Sequence, residues 1–121
     1  MTKPIQRREL IDLVLTQTDA FEDYPFNGGN SHEQILWTII KQKTNHKILA
    51  MIFEREGQLL IDLKLKPEQG AIMRQLRGVY PGYHMNKTHW NTIAVNDTEV
   101  SHEELVNMIK ESARLTLSRK K

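Results

Sequence analysis

Residues 35–65 hold three apolar, β-branched-rich runs separated by only two short polar stretches, and this spacing constrains the fold more than any other feature of the chain. Ile35-Leu36-Trp37-Thr38-Ile39-Ile40 is followed by Lys41-Gln42-Lys43-Thr44-Asn45-His46, and a second run covers residues 48–53. Arg55-Glu56-Gly57-Gln58 supplies turn chemistry. Beyond it, Leu59, Ile61, Leu63 and Leu65 alternate onto one face, with Asp62 and Lys64 on the other. Runs this short and this closely spaced predict three antiparallel strands.

Helical signals flank this block. Ile5, Leu10, Ile11, Leu13, Val14 and Leu15 form a broad stripe and Pro4 suits a first turn, so a helix is predicted over 4–19. Residues 21–33 contain Tyr24-Pro25-Phe26 and Asn27-Gly28-Gly29-Asn30-Ser31, and are read as turns. Pro67 and Glu68 open a short helix with Ile72, Met73 and Leu76 on its apolar side, stopped by Gly78. A loop over 79–83 leads to a fourth strand at 89–95. Ser101-His102-Glu103-Glu104 matches a capping box, and Leu105, Met108, Ile109, Ala113 and Leu117 continue the last helix on one face. The order helix, three strands, helix, strand, helix predicts an α+β fold: a two-layer sandwich with N- and C-terminal helices on one face of a mainly antiparallel sheet.

Composition narrows the function. The 121 residues are 39% hydrophobic and 26% charged, the size of one domain spanning 1–121 that buries a core without staples. No apolar run reaches membrane-spanning length. The start, Met-Thr-Lys-Pro-Ile-Gln-Arg-Arg, lacks an apolar signal core, so a cytoplasmic monomer with no membrane partner is expected. Zero cysteines exclude disulfides, thiolate metal sites and a cysteine nucleophile. The net charge of +2 conceals an uneven distribution: −2 over 1–63, +4 over 64–95 and 0 over 96–121. Lys64, Lys66, Arg74, Arg77 and Lys87 make the central excess, interleaved with Tyr80, Tyr83, His84, His89 and Trp90. The interleaving is read either as an ordinary locally positive face or as a phosphate-binding surface.

The densest group of unusual residues is Pro81-Gly82-Tyr83-His84-Met85-Asn86-Lys87-Thr88-His89-Trp90-Asn91-Thr92. Pro81 fixes φ and Gly82 permits positive φ, so a tight bend is expected there. In an extended 89–95 segment His89, Asn91, Ile93 and Val95 share one face, and Trp90, Thr92 and Ala94 the other. Trp90 is expected to anchor the core. Asn86, Lys87, His89 and Asn91 carry donors that need partners if buried. His84 and Asn86 fit a loop lock as well as they fit a ligand contact.

This string, with Tyr24-Pro25-Phe26, Lys47-Ile48-Leu49-Ala50-Met51 and Leu63-Lys64-Leu65-Lys66-Pro67-Glu68, resembles the MmcQ/YjbR family over nearly the whole chain. The resemblance implies a frataxin-like α/β sandwich of double-wing type and DNA binding. Two positions depart from the family pattern. His46 stands where the family usually has Gly, and Leu65-Lys66 where it usually has Cys-Asp, which exchanges an acid for a base.

Three functions follow. In the first, the basic segment contacts phosphates of double-stranded DNA through Lys64, Lys66, Arg74, Arg77 and Lys87. In the second, the 83–91 loop forms a pocket for a peptide, protein or small ligand, with Tyr83, His84, Asn86, His89 and Asn91 as contacts. In the third, frataxin-like metal binding uses Glu9, Asp12, Asp19, Glu22 and Asp23, although these acids fit a solvated face and His84 with His89 lacks a third ligand. No metal ligand set, cofactor or catalytic residue is assigned: paired carboxylates, nucleophile motifs and phosphate loops are absent from the sequence. The expectation is therefore a protein that is not an enzyme.

Overall fold

The computed structural model describes residues 4–25, 36–83 and 85–117. The first helix, α1 (Arg7–Gln17), starts later than the apolar stripe predicts. The backbone of Ile5 is already engaged: its N–H donates to Asn96 Oδ1 at 2.7 Å and its C=O accepts from Asn96 Nδ2 at 2.9 Å. Pro4 therefore precedes the helix. Gln6 is the cap, its N–H donating to Glu9 Oε1 at 2.8 Å.

Six strands form one antiparallel sheet: β1 (Ala20–Asp23), β2 (Thr38–Gln42), β3 (Ile48–Arg55), β4 (Gln58–Lys64), β5 (Val79–Pro81) and β6 (Trp90–Ala94). Their order is β1-β2-β3-β4-β6-β5. The sequence predicts four of them. The two it reads as turn and loop, β1 and β5, are the short edge strands, which carry no alternation long enough to read. Cross-element pairs help to hold β1: Arg8 reaches Glu22 at 2.6 Å, and Lys41 reaches Asp23 at 2.8 Å. The remaining residues read as turns, 26–33, lie outside the described residues, as does Ile35 at the start of the first predicted run.

Between β4 and β5 lies α2 (Pro67–Met73), which ends well before Gly78. Gly78 does have positive φ, +87°, but it serves the turn into β5 rather than the helix stop. The last helix is α3 (His102–Leu117), and its capping box forms as read: Glu104 N–H donates to Ser101 Oγ at 3.1 Å, and Ser101 N–H to Glu104 Oε1 at 3.2 Å.

The core has two parts, one on each side of the sheet. On the helix side, Leu10, Ile11 and Val14 of α1 and Leu105, Met108 and Ile109 of α3 pack onto Ile40, Ile52, Ile61, Leu63 and Ile93. A β-bulge between Ile40 and Lys41 leaves Leu49 without a register partner. Ser112 of α3 satisfies it, donating from Oγ to Leu49 O at 2.6 Å while accepting Lys64 N–H at 2.8 Å. One hydroxyl thus fastens α3 to both central strands. On the other side, Trp37, Ile39, Met51, Phe53, Leu60 and Ala94 form a second buried group, against which Tyr83 and Met85 pack.

Among the described residues two sit in left-handed backbone without being glycine. Glu56 (φ 53°) precedes Gly57 (φ 79°) in the two-residue turn between β3 and β4, where the right-handed strand twist favours positive φ at both positions. His46 has φ 61°, and its N–H donates to Gln42 O at 2.9 Å. The left-handed geometry is kept with histidine where the resembled family usually places Gly, and the ring meets Phe21 edge-on at 5.7 Å between centroids.

Candidate functional site

The motif string lies across the sheet face opposite the helices and is fastened from both ends. Gly82 N–H donates to Trp90 O at 2.8 Å, and Lys87 Nζ donates to Gly82 O at 2.9 Å. Asn86 locks the return: its Oδ1 accepts Thr88 N–H at 2.8 Å, and its C=O accepts Trp90 N–H at 2.9 Å. Gly82 does not adopt the positive φ expected of it, and Pro81 belongs to β5 rather than to a bend. Glycine is needed for closeness instead. A Cβ there would stand 2.7 Å from the Trp90 Cβ.

Beneath this loop lies Asp62, fully buried in β4 between Met51 of β3 and Thr92 of β6. Thr92 Oγ1 donates to Asp62 Oδ1 and accepts Tyr83 N–H at 2.9 Å, so the carboxyl holds the loop through one hydroxyl. Among the described residues Oδ2 has no hydrogen-bond partner. Burial pushes the Asp62 pKa up from 3.8 to about 7, against the smaller opposing pulls of the Thr92 hydroxyl, the Lys87 charge and the Tyr83 backbone.

Beside Asp62 runs an aromatic ladder. Trp37 packs on Phe53 with centroids 4.4 Å apart, and Phe53 stacks on Tyr83 at 5.5 Å. Arg55 places its guanidinium carbon 4.7 Å from the centroid of the Tyr83 ring. Between Tyr83 and Tyr80 opens a cavity of about 280 Å³, floored by Leu60 and Ala94.

The five cations singled out in the sequence do not gather. By strand alternation Lys64 is on the motif-loop face, where Lys87 also lies. Lys66, at the cap of α2, lies toward α3: the Glu111 pKa is lowered chiefly by its hydrogen bond from Arg114, and the Lys66 charge adds a smaller pull. Arg74 donates to Asn91, which is buried and points to the helix side beside Ile93. Arg77, in the turn between α2 and β5, pairs with Asp97 at 3.5 Å. Of the motif contacts, Tyr83 lines the cavity, Asn86 is a turn lock, and Asn91 is an internal partner of Arg74. His89 is half-buried, and its C=O accepts Leu65 N–H at 2.8 Å. His84 lies outside the described residues.

The acids near α1 are engaged by cations or caps rather than grouped together. Arg8 holds Asp12 at 2.9 Å as well as Glu22, Lys43 stands 3.8 Å from Asp19, and Glu9 caps the helix. The hydrogen bond from Arg8 lowers the Glu22 pKa, and that from Lys41 lowers the Asp23 pKa. Among the described residues no three histidine or carboxylate side chains are placed to share a metal ion. No described helix is long and apolar enough to cross a membrane.

Asp62 and Arg55 were not singled out from sequence, and Thr92 only as the end of the motif string. A signal existed for Asp62: its face also carries Leu60, and opposite it in β6 come Thr92 and Ala94, so this face could not be wholly solvated. Arg55 offered none, being one charge in a turn.

A six-stranded antiparallel sheet with its helices on one side and a self-fastened loop on the other defines a small α+β class with solved members. A Pseudomonas syringae protein superposes with a TM-score of 0.76 at 27% identity, covering 92% of this chain and 98% of its own. A Deinococcus radiodurans protein matches with a TM-score of 0.73 at 24% identity, covering 98% of this chain and 84% of its own, and shares the fold. The YjbR family model matches residues 15–115, and the chain belongs to that family. The uncharacterized protein YyaQ of Bacillus subtilis is 37% identical over 118 residues, covering 93% of this chain and 98% of the relative. The uncharacterized protein YjbR of Escherichia coli is 28% identical over 92 residues, 67% of this chain and 78% of the relative.

Proposed function

We propose that this YjbR-family chain is a non-catalytic binding module whose ligand surface is the sheet face under and beside loop 82–89. The observation that carries the reading is the cavity between Tyr80 and Tyr83, with Arg55 seated on the Tyr83 ring at its edge. Apolar floor, aromatic wall and one cation among a few polar groups are the ordinary composition of a small-ligand site. The loop that forms the wall is held by Thr92, Trp90 and Gly82, so little ordering entropy is left for a ligand to overcome. Catalysis has no comparable support: Asp62, the carboxyl with the strongly raised pKa, is sealed beneath the loop with no second carboxylate among its partners.

Duplex DNA is the alternative occupant. Lys64 and Lys87 on this same face favour it, whereas Lys66, Arg74 and Arg77 are turned elsewhere or engaged within the fold. Two comparisons separate the readings. A short labelled duplex is titrated at low and at physiological salt, and a mixture of small aromatic acids, amides and amines is followed by NMR of the full chain. Ligand binding predicts saturable, salt-insensitive shifts at Arg55 and Tyr83 and no duplex binding at physiological salt. Duplex binding that weakens steeply with salt and moves Lys64 and Lys87, with no response to the small molecules, would overturn it.

A further inference from the structure

The cavity between Tyr80 and Tyr83 combines three features that together specify a ligand class. Its floor, Leu60 and Ala94, is buried and apolar. Its volume of about 280 Å³ is at the small end for ligand pockets, enough for a single ring with a short polar group. Its charge comes from Arg55, whose fork is largely uncommitted. No hydrogen bond within the described residues engages that guanidinium, and its ion pair is a long one, 3.8 Å, to the adjacent and mostly solvated Glu56.

We propose that this cavity binds a small organic monoanion with a flat apolar body, of which an aromatic carboxylate is the simplest member, with Arg55 as the anion anchor and Tyr80 and Tyr83 enclosing the body. The inference rests on the reading of this face as a ligand surface. The contact with the Tyr83 ring restrains the guanidinium, and no described hydrogen bond engages its N–H groups, so they can make a two-point bond to a carboxylate. Tyr83 is itself fixed, since its N–H is held by Thr92 and Thr92 by Asp62. Anchor and wall are thus in place before binding.

The same electrostatics select against more highly charged ligands. Glu56 lines the cavity beside Arg55, so a second negative charge on the ligand would meet a carboxylate. The next cation on this face, Lys87, has its Nζ on Gly82 O. Arg55 is thus the one cation among the described lining residues, and it is offered to one negative charge. A neutral ring would gain the apolar contact and leave the guanidinium unanswered, whereas an inorganic anion would gain the charge and leave the floor wet.

The test uses the full chain, with benzoate, benzamide and inorganic phosphate as probes, followed by NMR shifts of the Arg55 Nε–H and the Tyr80 and Tyr83 rings. Benzoate is expected to give saturable shifts at all three residues. Benzamide is expected to bind at least about tenfold more weakly, and phosphate to give no saturable shift. Arg55→Gln should lower benzoate affinity by a similar factor while leaving the rest of the spectrum in place. Arg55→Lys, which keeps the charge and loses the fork, should fall between the two. Benzamide binding as tightly as benzoate, or phosphate saturating the same shifts, overturns the ligand class and leaves the ligand-surface reading standing. No response on this face to any of the three overturns both.

Discussion

Ile61 and Asp62 are neighbours on β4, both fully buried, and they face opposite worlds. Ile61 points into the aliphatic layer under α1 and α3, where shape and apolar area are the whole contribution. Asp62 points to the side covered by loop 82–89, where a carboxyl is buried with one oxygen bonded and the other, among the described residues, without a partner. The first side is built for stability. The second carries a standing cost, which proteins tend to place where binding is done.

Substitutions sharpen this contrast. Ile61→Ala should cost about 2–5 kcal/mol, with the same loss at acid and at alkaline pH, because no titrating group is involved. Equilibrium unfolding at both pH values measures it, and a pH-dependent loss would show that the two sides are not independent.

Asp62→Asn should act in the opposite direction, increasingly as pH rises from about 4 to 7. The folded pKa is raised, so folding favours the neutral acid. Stability from this group is fully present below 3.8, is lost between about pH 3.8 and 7, and is constant above that. The span of that loss is of order 4 kcal/mol at most, at 1.36 kcal/mol per unit. The amide introduced by the substitution would keep an acceptor for the Thr92 hydroxyl and cannot ionise. The variant should therefore gain stability over the parent above pH 7 and lose the slope between pH 4 and 7. Parallel stability curves for the two proteins would break the comparison.

The smallest effect belongs to the turn between β2 and β3, away from both sides. His46→Gly should stabilise by about 0.5–1 kcal/mol, since left-handed backbone is free for glycine and costly for histidine, less the lost ring contact with Phe21. Thermal unfolding reads the sign directly. A loss would mean that the aromatic contact outweighs the backbone.

Much of the layout was legible because it rests on periodicity. The central strands, the alternation that separates Ile61 from Asp62, and the Ser101–Glu104 cap follow from local pattern alone. The short edge strands β1 and β5 were not legible, since they form by pairing with strands already in place. The site was half legible. The motif string and Tyr83 stood out, but the five cations were grouped by sequence proximity, and the structure distributes them between the two sides and the turn after α2. Arg55 and Asp62 join the site only through strand registration, a long-range fact that charge counting along the chain does not carry.

The fastening of loop 82–89 is almost entirely self-contained. Gly82 to Trp90, Lys87 to Gly82, Asn86 to Trp90 and Tyr83 to Thr92 are all contacts across a few residues of chain. The described residues of the loop are tied to β6 as a single clasp, with the Asp62 carboxyl bonded to Thr92, the β6 residue that holds Tyr83. Such a unit opens as a whole or stays shut, so the amides of 82, 83 and 90 should exchange with solvent at one common rate, and whatever loosens β6 will uncover the carboxyl at the same moment.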